Sequence, residues 1–198
     1  MLAGCWVDPS KHETPQISYH GALTDAMTAL GRRRDTIFMG QGVGCAGTTM
    51  TDTLDGVPKE KLYEFPVAEN LQLGTAIGMA LGGWLPICIF PRWNFLLSAA
   101  DQLVNHLDRL PIYSAGAYNP RVIIRTAIPS TRGFNPGSQH SDDFTAAFEH
   151  MLHKVEIVVL QTPNAVMREY MAAAEAPRST LLVEYTALYN AIPSGVPA

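Results

Sequence analysis

The sequence predicts an α/β domain with a doubly wound, mainly parallel sheet and helices on both faces. Three observations predict it. Short apolar runs bounded by turn residues alternate with stretches of helical spacing along most of the chain. Several runs, such as LPICIF from Leu85 and IVVL from Ile157, are continuously apolar, as expected when both faces of a strand are covered. The 198 residues, 47% hydrophobic and 16% charged, suffice for one sizeable core.

Residues 1–19 form an N-terminal arm. From Gly21, the spacing of Leu23, Ala26, Met27 and Leu30 predicts a helix ending near Gly31. TIFM from Thr36 is a strand, and the Gly- and Thr-rich stretch 40–58 is loop. Lys61–Phe65 is a second strand, and Glu69–Leu81 a helix rich in Ala and Gly. A third strand covers Leu85–Phe90. One long helix follows over Asn94–Leu110, with Leu96, Leu97, Ala100, Leu103, Val104 and Leu107 on its apolar face. Arg121–Ile128 is the fourth strand and 129–143 a polar loop. A short helix near Phe144–Met151, strand Glu156–Leu160, helix Asn164–Ala174 and strand Thr180–Glu184 complete the domain over 20–190, before a tail at 191–198. In such a fold, ligands sit beyond the C-terminal ends of the strands.

Composition excludes several classes. A net charge of −4 and a pI near 5.8 argue against nucleic acid. The basic run Arg32-Arg33-Arg34 suits a solvated helix end. Cys5, Cys45 and Cys88 are scattered, which disfavours structural zinc or a disulfide framework and points to a reducing cytoplasm. No signal peptide is visible at the N-terminus. Leu73–Phe90 carries no charge and is long enough to span a membrane, but Gly82-Gly83 and Pro86 break it into a buried helix and a buried strand.

Three constellations could carry chemistry. Gly42-Val43-Gly44-Cys45-Ala46-Gly47 fits GxGxxG after a strand, yet TTMTDTLDGVP does not open a helix, so a tight loop is preferred to a dinucleotide site. Glu69 begins a helix with no other charge before Arg92. It is either a capping acid or an acid that shares a proton because its surroundings are apolar. His140, in the loop Asn135–Asp143, is either a general acid or base or a solvated residue, since neither metal spacing nor a nucleophile elbow accompanies it.

Taken in order, the segments resemble a known family. FPVAENLQLGTAIGMALGGWLPICIF, WNFLLSAADQLVNHLDRL, GSQHSDDFTAAFEH, VVLQTPNAVMREYMAAA and LLVEYTALY are similar to the pyrimidine-binding domain of the β-subunit of the decarboxylating component of 2-oxo acid dehydrogenases, in the transketolase-like superfamily. The resemblance covers about Gly21 to Tyr189. It implies thiamine diphosphate as cofactor, with Glu69 bonded to the aminopyrimidine N1′, Phe95 against that ring, Pro91 lining the pocket and His140 as the active-site histidine. The function implied is decarboxylation of a 2-oxo acid with transfer of the acyl or aldehyde-level fragment.

The family's wider class holds Mg2+ and the diphosphate through a GDG segment, which this sequence does not contain. That predicts a separately encoded α-type subunit in an α2β2 heterotetramer, with no metal ligands on this chain. There are departures from the family pattern. Gly40-Gln41-Gly42 stands where an acidic pair is usual, and Cys88-Ile89 where an acid is common. The family's second α/β domain has no counterpart before Ala198. A transketolase-type or acyloin-forming ligase subunit, or a non-catalytic partner subunit, is therefore the alternative expectation.

Overall fold

The computed structural model describes residues 17–45, 48–130 and 137–189. The expected arm and tail fall outside these residues, except Ile17–Tyr19, and Tyr19 already opens the first helix. The chain folds as α1 (Tyr19–Gly31), β1 (Thr36–Gly40), β2 (Leu62–Glu64), α2 (Glu69–Leu81), β3 (Leu85–Ile89), α3 (Trp93–Leu97), α4 (Leu110–Tyr113), β4 (Ile123–Ile128), α5 (Thr145–Met151), β5 (Glu156–Val159), α6 (Pro163–Glu175), β6 (Thr180–Tyr185) and α7 (Thr186–Tyr189). The six strands form one sheet in the order β2-β1-β3-β4-β6-β5, and every pairing is parallel.

Alternate residues of the central strands enter two separate cores. Phe38, Ile87, Ile89, Ile123 and Leu182 pack on one face with Leu23 and Met27 of α1 and Tyr170 of α6. Met39, Cys88, Ile124, Leu181 and Val183 pack on the other with Leu73 of α2, Trp93 of α3 and Phe148 of α5. This two-sided burial is why these strands are apolar at successive positions. The edge strands β2 and β5 are more exposed. The uncharged stretch 73–90 is the end of α2, a turn and β3, with Gly83 at φ +92, a conformation that favours glycine.

The single long helix expected over Asn94–Leu110 is not formed. After α3 the chain runs through a π-helical segment, Gln102–Leu107, before α4. The wider turn is fixed by a bond from the Asp108 amide to Leu103 O at 3.0 Å. It turns the Asp108 carboxylate inward, where Oδ1 accepts the backbone amides of His153, Lys154 and Val155 at 2.7–2.9 Å. Ala99 takes the core place expected of Leu97, which is exposed. The arginine run is also not simply solvated: Arg33 pairs with Asp35 at 3.0 Å and with Glu175 of α6.

A fully buried polar cluster joins β4 to β6. Arg125 Nε donates to Glu184 Oε1 at 2.8 Å and Nη2 to Oε2 at 3.1 Å. The hydroxyls of Tyr170 and Tyr189 also donate to the Glu184 carboxylate, and burial pushes both phenols well above their usual range.

Candidate active site

Because all strands are parallel, their C-terminal ends share one edge of the sheet. The chain steps from β1 outward to β2 on one side, and from β3 to β4 on the other. The seam between β1 and β3 is therefore the point where the winding reverses, the usual place for a ligand. Gly40 ends β1 there so close to β3 that a Cβ would lie 2.7 Å from Ile89 O. Only glycine allows that approach.

Glu69 begins α2 at this edge and is half-buried. It does not cap its own helix. The hydrogen bond its carboxylate makes within the chain comes from Gln41 Nε2 to Oε1 at 3.1 Å, leaving Oε2 without a partner among the described residues. The helix N-terminus favours the negative charge. The described residues do not supply the full apolar enclosure expected around this acid: Glu69 is half-buried, and Asn70 beside it is exposed and bonded to Gln102. One turn on, Gln72 is fully buried, with Nε2 donating to Ile89 O at 3.0 Å and reaching Met39 O at 3.4 Å and Cys88 Sγ at 3.3 Å. The first turn of α2 is thereby fastened across the β1–β3 seam. The Cys88 thiol beneath it is pushed up to about 12 by burial, which makes it an inert core group.

The next element at this edge carries the other site residues predicted from sequence. Pro91 and Arg92 link β3 to α3 and are both half-buried. Phe95 of α3 meets His140 edge to face, with ring centroids 5.4 Å apart, and the Arg92 guanidinium lies 5.9 Å from the Phe95 centroid. His140 ends a short 3-10 turn, Ser138–His140, and is packed rather than fully solvated. Asn94 Nδ2 donates to Asp142 Oδ2 at 2.8 Å, closing the histidine loop onto α3. Among the described residues, His140 Nδ1 and Asn94 Oδ1 are buried without a hydrogen-bond partner.

The structure thus brings Phe95 and His140 into contact, while Glu69 contacts Gln41. No hydrogen bond or ring contact joins Glu69 to the aromatic pair among the described residues. Ala46 and Gly47 of the glycine motif lie outside the described residues; within them the Gly42 and Gly44 amides donate to the Glu64 carboxylate at 2.6 and 2.8 Å. Among the described residues that follow, the chain forms a 3-10 turn at Thr51–Leu54 and no amphipathic helix before β2. A concavity of about 700 Å3 is at the opposite end of the sheet, between Pro111, Ile112, His153, Lys154 and Arg178. None of the predicted site residues lines it.

Sequence reasoning missed Gln41 as a partner of Glu69, and it missed the Asn94–Asp142 tie. Gln41 carried a signal, being the first polar side chain beyond β1 at the ligand-binding edge.

A parallel sheet with helices on both faces, with an acid and an aromatic–histidine pair beyond its C-terminal ends, defines the class as a doubly wound α/β domain. More particularly, the chain belongs to the transketolase pyrimidine-binding domain family, whose model matches residues 15–191. It is a family of thiamine diphosphate enzymes. Over 187 residues the chain is 27% identical to the pyruvate dehydrogenase E1 component subunit beta of Mycoplasma genitalium, covering 92% of this chain and 56% of that protein. It is 28% identical over 172 residues to the 3-methyl-2-oxobutanoate dehydrogenase subunit beta of Mycobacterium tuberculosis, covering 85% and 48%. The chain therefore spans about half the length of these relatives. Among solved structures, a split-gene transketolase in an inactive β4 tetramer shares the fold, with a TM-score of 0.65 at 18% identity over 92% of this chain and 53% of that one.

Proposed function

We propose that this chain is the β-type subunit of a split thiamine diphosphate enzyme that decarboxylates a 2-oxo acid and transfers the acyl or aldehyde-level fragment. One observation carries this reading. Glu69 stands at a helix N-terminus on the winding-reversal seam, with one carboxylate oxygen held by Gln41 and the other without a partner among the described residues. The relatives' names agree with the reaction class.

The residues present fit the aminopyrimidine half of the cofactor. Glu69 Oε2 would hold N1′, the half-buried Phe95 ring would lie against the heterocycle, and Pro91 would line its edge. Among the described residues, His140 Nδ1 and Asn94 Oδ1 are buried polar atoms without a partner, and a bound ligand or second subunit would give one. When bound, thiamine diphosphate supplies the acidic thiazolium C2–H and the electron sink that 2-oxo acid decarboxylation requires. The protein's share is to hold and share a proton at Glu69 and to hold or deliver one to substrate-derived oxygen at His140.

A separately encoded α-type subunit would hold the diphosphate and Mg2+, in an α2β2 assembly. The surface supports a partner. Tyr63, Val67 and Leu71 are 57%, 82% and 57% exposed where β2 meets α2, beside a groove of about 530 Å3 lined by Met39, Phe65 and Met79. Exposed apolar surface of this kind marks an interaction site. Among the described residues no helix is long and apolar enough to cross a membrane. The acidic net charge supports no nucleic-acid role, and the free Cys45 and Cys88 suit the proposed cytoplasmic location.

Calorimetric titration tests the division of labour. The purified chain with thiamine diphosphate and Mg2+ is expected to show no tight binding, because charge-assisted phosphate contacts are the strong ones and lie on the partner. Complex with the α-type subunit should bind the cofactor and turn over a 2-oxo acid. Micromolar binding by the chain alone would sink the proposal. Within the complex, His140→Ala should lower turnover by about 10²-fold while cofactor affinity stays nearly intact, the scale of a lost acid–base group. Normal turnover would reduce His140 to a packing residue.

A further inference from the structure

We infer that Gln41 is a positioning residue: its side-chain amide holds Glu69 Oε1 and so presents Oε2 to the cofactor's aminopyrimidine nitrogen. This rests on the role proposed for Glu69. The Nε2–Oε1 separation is 3.1 Å. While Glu69 is ionised the amide takes this orientation, because the flipped one would set two acceptor oxygens against each other.

Both partners are anchored to the same seam. On the Gln41 side, Gly40 is pressed against Ile89 O. Beyond Gln41, the loop is gripped by the Glu64 carboxylate at the Gly42 and Gly44 amides, and Thr51 Oγ1 donates to Gly42 O at 2.7 Å. Gly42 takes φ +71 to make this turn. The glycine motif therefore serves as a clamp on the residue that precedes it. On the Glu69 side, Gln72 fastens α2 to Ile89 O, the same carbonyl that Gly40 abuts. Donor and acceptor thus ride on backbone fastened to one carbonyl of β3.

The choice of an amide also has a chemical consequence. Gln41 donates to Glu69 but neither takes nor gives a proton at working pH. Within this chain, the Glu69 proton is then shared with the ligand nitrogen alone.

Two measurements test this. In the 15N-labelled chain, one Gln41 Nε2 proton should resonate downfield of a free glutamine amide and return to the free position in Glu69→Ala. An unmoved signal overturns the contact, and with it the inference, whatever Glu69 does. In the complex with its partner subunit, thiamine diphosphate and Mg2+, Gln41→Leu should slow C2-proton exchange about tenfold, the factor carried by a hydrogen bond to a charged group, with cofactor Kd changed by about twofold or less.

Gln41→Glu keeps the shape but sets a second acid beside Glu69. It should slow exchange as well, and move the pH of half-maximal exchange upward, since like charges in one site disfavour ionisation. The other charged or titratable groups along this edge, Glu64, Arg92, His140 and Asp142, are the same in every variant. A merely structural role would leave the pH profile in place. Wild-type exchange in both Gln41 variants overturns the inference and leaves the Glu69 reading standing if Glu69→Gln is slow. If Glu69→Gln also exchanges normally, both fall.

Discussion

Glu69→Gln should give a folded, assembled protein whose C2-proton exchange on the bound cofactor is slowed by about 10²–10⁴-fold, the range for loss of a proton-transfer group. The substitution keeps the length of the side chain and an oxygen that can still accept from Gln41 Nε2. Its effect on stability is correspondingly small, because Glu69 is half-buried and does not cap its own helix. What disappears, on the role proposed for Glu69, is the ability to hold a proton on the oxygen facing the ligand. An amide donates or accepts in a fixed sense and cannot share a proton with a heterocyclic nitrogen. The measurement is deuterium exchange at C2 under rapid quench, in the complex, with melting temperature as the control for folding. Exchange at the wild-type rate would make Glu69 a residue that merely favours the helix N-terminus through its charge. Loss of exchange together with loss of folding would show instead that the carboxylate is structural.

Why the fold was legible, and the site only in part, follows from which contacts are local. Leu85–Ile89 announces a two-sided strand because each residue meets an apolar face, so burial alone writes the pattern. Glu69–Leu81 was readable to both ends, with a charge at its start and Gly82-Gly83 at its stop. The break in Asn94–Leu110 was not readable. Its cause is a carboxylate at Asp108 that finds three amides some 45 residues downstream, and no periodicity encodes that meeting. The same holds at the site. Residue types singled out Glu69 and His140, and the family resemblance added Phe95 and Pro91. Neither route could give the Gln41 contact, which depends on β1 and α2 converging after a separation of 28 residues. The apolar enclosure expected of Glu69 failed for a related reason. A run without charges says what a helix can bury, but the chain that covers its first turn need not be its own.

The largest stability effect should come from Arg125→Met, which is expected to destabilise the chain by about 3–5 kcal/mol, the usual cost of breaking a buried ion pair from one side. Arg125 and Glu184 both have no exposed side-chain surface. The guanidinium also donates to Thr53 Oγ1 at 3.2 Å and lies 5.7 Å from the Tyr170 centroid. Methionine fills much of the volume but leaves the Glu184 carboxylate buried with, among the described residues, only the Tyr170 and Tyr189 hydroxyls as donors. Two neutral donors do not replace a bidentate cation at low dielectric. The double variant Arg125→Met/Glu184→Leu should recover most of the loss, since no uncompensated charge remains. Recovery should be incomplete, because both tyrosine hydroxyls then lose their acceptor. The cluster matters to the site because of where the two strands lead. β4 runs into the segment that carries His140, and β6 runs into α7, where Thr186 Oγ1 accepts the Ser130 amide at 2.7 Å. Urea unfolding of the three proteins, read as midpoints at constant slope, decides the matter. A single variant that loses less than about 1 kcal/mol, the size of an ordinary surface pair, would show that the buried cation is not what secures this edge of the sheet.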